Sequence, residues 1–162
     1  MADFEIRVED RQVRDALAQL LDRVQDATPA MEDIARALRN HTEDAFQSQA
    51  SPFGPAWEDL KESTKDRREK AGHWPGSILQ VTGGLAGSIS SAAGADWAQV
   101  GVGKAGGKEG YGAIHQFGGL TDMAPGPAAI PERPFLPVDR AGNLPDAVRQ
   151  EILDILAGFF DG

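Results

Sequence analysis

The chain has 162 residues, 41% of them hydrophobic and 25% charged, which suits one compact domain and argues against wholesale disorder. Sixteen Lys and Arg face 25 Asp and Glu, a net charge of -9, which disfavours a free DNA-binding or anionic-membrane-binding protein. There is no cysteine, so disulfide frameworks, thiolate metal sites and Cys nucleophiles are excluded, and the composition fits a reducing compartment. No apolar run approaches the roughly 20 residues that span a bilayer, and Met1-Ala2-Asp3-Phe4-Glu5 lacks the basic and apolar regions of a secretory signal.

Residues 3–9 alternate, with Phe4, Ile6 and Val8 on one face and Glu5, Arg7 and Glu9 on the other, the pattern of a half-buried strand. Asp10 is placed to cap a helix whose apolar stripe is Val13, Leu17, Leu20, Leu21 and Val24. Thr28-Pro29 reads as an N-cap followed by proline at the first helical position. Met31, Ile34, Ala35, Leu38, Thr42, Ala45 and Phe46 then predict a helix from 29 to about 48.

Ser51-Pro52-Phe53-Gly54-Pro55 breaks the chain. Eight of the ten residues from Lys61 to Lys70 are charged, five basic and three acidic, as on a solvated helix. Trp57 and Trp74 flank it as either core residues or interface anchors, whereas Trp97 is expected in the core. Thr82-Gly83-Gly84 reads as a turn leading into a hairpin of strands 88–92 and 97–102, in which Ala98, Val100 and Val102 share a face.

Eight glycines fall between 101 and 119 and five prolines between 125 and 137, around one ordered-looking piece, Tyr111 to Phe117. Flexible loops are expected at about 101–110 and 119–137, with Pro131, Pro134 and Pro137 confining the second to an edge strand or an extended arm. Asn143 is the expected cap of a last helix carrying Val148, Ile152, Ile155, Leu156 and Phe159. Helices and strands are segregated, which predicts a single α+β domain over 1–162, a small antiparallel sheet flanked by helices with long Gly/Pro-rich loops or arms.

Catalytic motifs are weak. Gly101-Val102-Gly103-Lys104-Ala105-Gly106 fits G-x-G-x-x-G, but the residues that follow are poor helix formers, so no helix N-terminus waits for a pyrophosphate. Gly107-Lys108 lacks the rest of a P-loop. His41, His73 and His115 show no metal-ligand spacing, and no nucleophile elbow is present. The expectation is no catalytic residue, no metal and no cofactor. A small hydrolase using His115 as general base is the competing reading, and an adaptor that binds a host or phage protein is another.

Four segments carry a resemblance: Phe53-Gly54-Pro55-Ala56-Trp57 with Leu60 and Thr64; Ile78-Leu79 with Thr82-Gly83-Gly84-Leu85 and Ser88-Ile89; Tyr111-Gly112-Ala113-Ile114-His115-Gln116-Phe117-Gly118-Gly119; and Ile130-Pro131-Glu132-Arg133-Pro134-Phe135-Leu136. In this order they resemble the phage virion-morphogenesis family, also called tail-completion proteins, of Mu-like tailed phages and prophages. The resemblance implies a non-enzymatic structural protein of the virion neck, found at the head–tail junction and in the host cytoplasm during assembly. It implies a homo-oligomeric, hexameric ring that meets tail-tube and head-connector proteins, without sequence-specific nucleic-acid binding or membrane contact. DNA would pass through an acidic lumen.

On that reading the 101–137 region contacts neighbouring subunits, through Trp57, Tyr111, His115, Gln116, Phe117, Arg133 and Phe135. His115, Gln116 and Phe117 would set a local turn while Arg133 and Phe135 anchor the arm. The alternative is that the same aromatics fill the subunit's own core.

Overall fold

The computed structural model describes residues 7–24, 26–79, 84–103, 111–118 and 130–161. Most of the alternating run at 3–9 lies outside them, and its described end, Arg7 to Glu9, belongs to no strand. Helix α1 spans Arg11–Arg23, and the Asp10 carboxylate accepts the Val13 amide at 3.1 Å as the cap foreseen in the sequence. Helix α2 spans Thr28–Ser48 and is the spine of the molecule. Thr28 is not its N-cap. Ala27 holds that position, and Thr28 instead gives its own amide to the Asp26 carboxylate at 2.9 Å, a local turn that competes with capping.

Helix α3 (Glu62–Lys70) follows the proline-rich break and buries none of its residues. A single helical turn, α4 (Gly84–Gly87), replaces part of the turn expected at 82–84, of which Thr82 and Gly83 lie outside the described residues. Strands β1 (Ile89–Ala93) and β2 (Ala98–Val102) pair antiparallel, with Ser91 opposite Val100. Helix α5 (Tyr111–Phe117) is the ordered piece between the glycines, and α6 (Asp146–Asp161) closes the chain.

Six helices and a two-stranded antiparallel sheet thus make a small α+β fold among the described residues. One side of α2 carries two apolar clusters along its length. Near its start, Met31, Ile34 and Leu38 meet Leu20 of α1 and Val148, Ile152 and Leu156 of α6. Near its end, Ala45 and Phe46 meet Trp57, Leu85, Ile89, Val102, Phe135 and Leu136. The half-buried Val8 and Val100 touch both clusters.

Two further expectations are corrected. Asn143 does not cap α6: Pro145 keeps Leu144 out of the helical region, and the Asn143 side chain bonds the Asp139 carboxylate at 3.0 Å. Trp97 is 46% exposed. Its parity on the strand is opposite to that of Ala98, Val100 and Val102, which face the core side, so the alternation that buries them turns it outward.

Candidate functional site

The described parts of the last two family-like segments, 111–118 and 130–136, meet in one cluster behind the C-terminal half of α2. Helix α5 is short because Gly118 ends it at φ +81°, in the left-handed region. The 130–132 chain then passes so close that a Cβ at Gly118 would sit 3.0 Å from the Ile130 carbonyl oxygen, which only glycine avoids comfortably.

Gln116 is 1% exposed and spends its whole amide on the returning segment. Its Oε1 accepts the amides of Phe135 and Leu136, both at 2.9 Å. Its Nε2 donates to the carbonyls of Leu136 at 3.3 Å and Val138 at 3.2 Å. One side chain therefore supplies the bonding that a neighbouring strand would provide, and this explains how buried backbone without regular structure is tolerated.

Arg133 locks the same segment from the other side. Its amide donates to the His115 carbonyl at 2.7 Å. Its guanidinium donates to the carbonyls of Glu58 at 2.9 Å and Asp59 at 3.3 Å. Trp57 Nε1 donates to the Pro134 carbonyl at 2.8 Å. The Trp57 ring stands edge-on to Phe46 at 5.6 Å between centroids, and Phe46 packs on the fully buried Phe135 at 5.3 Å.

His115 is half-buried beside this lock. Burial, and then the nearby positive charge of Arg133, push its pKa down from 6.5 to about 4. The imidazole is neutral at neutral pH. Phe117 carries the Arg140 guanidinium over its ring at 5.1 Å, and its carbonyl accepts a hydrogen bond from the same group at 2.6 Å. Tyr111 opens α5.

Trp57, His115, Gln116, Phe117, Arg133 and Phe135 are thus brought together around the 130–138 segment. Trp57, Gln116, Arg133 and Phe135 are buried within the single chain. The physical reason is the same for all four: residues 131–138 belong to no helix or strand, and these side chains satisfy or cover their backbone. The expected arm is therefore packed from Ile130 onward, while 104–110 and 119–129 lie outside the described residues, and with them the last three positions of the G-x-G-x-x-G segment, Lys104, Ala105 and Gly106, and the Gly107-Lys108 pair.

Several structural contributors gave no sequence signal. Gln49 adopts a left-handed conformation, and its Oε1 accepts the Ile78 amide at 2.7 Å. Arg149 of α6 pairs with the buried Asp10. Burial alone would raise the Asp10 carboxyl, but the Arg149 hydrogen bond, the Val13 amide and the Arg149 charge outweigh it and hold it below its ordinary value. His41 of α2 and Glu151 of α6 meet at 2.6 Å, a pair 110 residues apart that no local spacing reveals. Among the described residues no group of three or more His, Asp or Glu is arranged to hold a metal ion, and no helix is long and apolar enough to cross a membrane.

The model of the phage virion morphogenesis family matches residues 8–160, nearly the whole chain. The chain belongs to the phage virion morphogenesis family. It is 40% identical over 154 residues to the putative capsid assembly protein G of Escherichia phage Mu, covering 93% of this chain and 94% of that protein. It is 39% identical over 124 residues to the Mu-like prophage FluMu G protein 1 of Haemophilus influenzae, covering 75% of each. No solved structure matches. The resemblance carried by the four segments is thereby established at the level of the family.

Proposed function

We propose that this member of the virion morphogenesis family is a structural protein of the tailed-phage neck. In this reading a homo-oligomeric ring of six copies completes the tail and joins it to the head connector. The carrying observation is the end-to-end match to the family and to the Mu protein, together with a cluster of family-like residues whose hydrogen bonds are spent on the chain's own backbone. A catalytic site aims polar groups at a substrate; here Gln116 and Arg133 aim theirs at carbonyls and amides of the subunit.

The hydrolase alternative is weakened by His115 itself. A general base works best with a pKa near the working pH, and one held at about 4 accepts a proton poorly at neutrality. The net charge of -9 supports a lumen that lets DNA slide without holding it, because like charge repels phosphate.

The name of the Mu relative favours a second reading, a role in capsid assembly. Deleting the gene and examining lysates by electron microscopy separates the two. The neck reading predicts normal DNA-filled heads alongside unjoined tails of irregular length. Aberrant or missing capsids would instead favour capsid assembly, and fully assembled particles lacking an enzymatic activity would contradict both.

A further inference from the structure

We propose that Gln49 and Leu79 form a strained catch, a two-state joint in which Gln49 holds Leu79 in left-handed backbone and its release lets Leu79 return to extended backbone. The inference concerns the single chain and does not rest on the ring reading.

Gln49, at φ +51°, and Leu79, at φ +61°, are the non-glycine residues with left-handed backbone among the described residues. A Cβ crowds the following carbonyl oxygen there, at a cost of about tenfold in an equilibrium constant. Asn and Asp offset this by local hydrogen bonding, a means that leucine lacks. The two positions are neighbours in space. Gln49 Oε1 accepts the Ile78 amide at 2.7 Å, so a single hydrogen bond runs from one strained residue to the residue beside the other.

Glycine would suit each position better. Gln49 ends α2, and a residue ending a helix in this conformation is usually glycine. Ile78 and Leu79 form a bend whose second residue has positive φ, again a place for glycine. The side chains that stand there instead have work to do. The Gln49 carbonyl accepts the Trp57 amide at 2.8 Å while its side chain takes the Ile78 amide, so one residue fastens two chains to the end of α2. Leu79 is 8% exposed and belongs to the apolar cluster of Ala45, Phe46 and Trp57.

The chain is anchored on both sides of the bend. The Arg68 guanidinium donates to the Ser77 carbonyl at 3.0 Å, and Leu85 further on is buried. What opposes the return of Leu79 to ordinary backbone is therefore the Gln49 bond and the burial of its own side chain. The net contribution of one hydrogen bond is of the same size as the strain it holds, and burial tips the balance toward the closed joint. Strained backbone persists only where its surroundings over-determine it, and such positions recur at switch regions. A contact that offers the Ile78 amide another acceptor would open this one, at the point where two family-like segments meet the end of α2.

A double-mutant cycle tests the catch. Gln49→Ala and Leu79→Gly are made singly and together, with Gln49→Glu, which keeps an Oε acceptor, as the rescue. Gln49→Gly, which relieves the helix end, takes the place of Gln49→Ala if the latter does not fold. Chemical denaturation reads the folding equilibrium constant. In the unaltered background Gln49→Ala loses a bond but sheds the strain at Leu79, whereas in the Leu79→Gly background there is no strain to shed. Its cost should therefore be about fivefold or more larger in the Leu79→Gly background. Simple packing between the two side chains gives the opposite sign. By NMR, Leu79 should show the strong intraresidue amide–Hα NOE of positive φ in the unaltered chain and in Gln49→Glu, and lose it in Gln49→Ala, while the amides of the β1–β2 hairpin stay protected from exchange in all. Equal costs in the two backgrounds, a smaller cost with Leu79→Gly, or a Leu79 that keeps its NOE in Gln49→Ala overturns the catch. So does a chain that fails to fold even as Gln49→Gly, since the bond is then a structural support with no second state.

Discussion

Helix α3 and the segment 130–138 invert the usual relation between regularity and burial. The first has full helical bonding and buries nothing. The second has no helix or extended strand, yet Arg133, Phe135, Leu136, Pro137 and Val138 are all buried. An isolated nine-residue helix is marginal in water, so α3 depends on local polar ties such as Lys65 with Asp59 and Glu62, both at 2.9 Å. The irregular segment is instead held by side chains from far away in sequence. Irregular backbone can be core, provided its amides and carbonyls are met.

Breaking the buried side should have the largest effect. Phe135→Ala empties the centre of the aromatic stack and is expected to cost about 3–5 kcal/mol in chemical denaturation. A loss below about 1 kcal/mol would mean that the stack is not a shared core. Gln116→Leu keeps the bulk and removes the bonds to Phe135, Leu136 and Val138. With each orphaned buried group costing about 1–3 kcal/mol, a loss of roughly 3 kcal/mol is expected, and Gln116→Ala with equal stability to wild type would show that water takes its place.

A pH series sharpens the same comparison. The folded-state pKa of His115 is lowered from 6.5 to about 4, so the unfolded chain takes up the proton first. Stability should be level above about pH 6.5 and decline as pH falls toward 4, and His115→Gln should flatten that decline. NMR titration of the folded chain showing this imidazole protonating near 6.5 would contradict the burial argument. Asp10, held below its usual value by Arg149, adds a further loss only as pH drops below about 3.8. At the exposed extreme, Arg67→Ala on α3 should change stability by less than about 0.5 kcal/mol in chemical denaturation.

What was legible in the sequence follows from the range of the physics. Helices α1, α2 and α6 and the hairpin carry periodic apolar patterns, and the Asp10 cap acts three residues away, so all were readable locally. For Trp97 strand parity outweighs size: it stands out of phase with the inward-facing Ala98 and Val100, and its ring is turned outward. The lock was out of reach. Trp57 and Pro134 are 77 residues apart and Gln116 and Leu136 are 20 apart, and no spacing rule links an amide side chain to a distant backbone. The family-like motifs located these residues, but only the fold shows which backbone groups they bond. The exposed Phe53 lay inside a family-like segment too, and only its burial state separates it from Trp57 four residues on.

Where the protein sits in a particle decides its role most directly. Cryo-electron microscopy of intact virions, with density fitted to this fold, should find a six-fold ring at the junction of head and tail. Finished particles that hold no density or peptide from this chain would contradict a structural role in the neck.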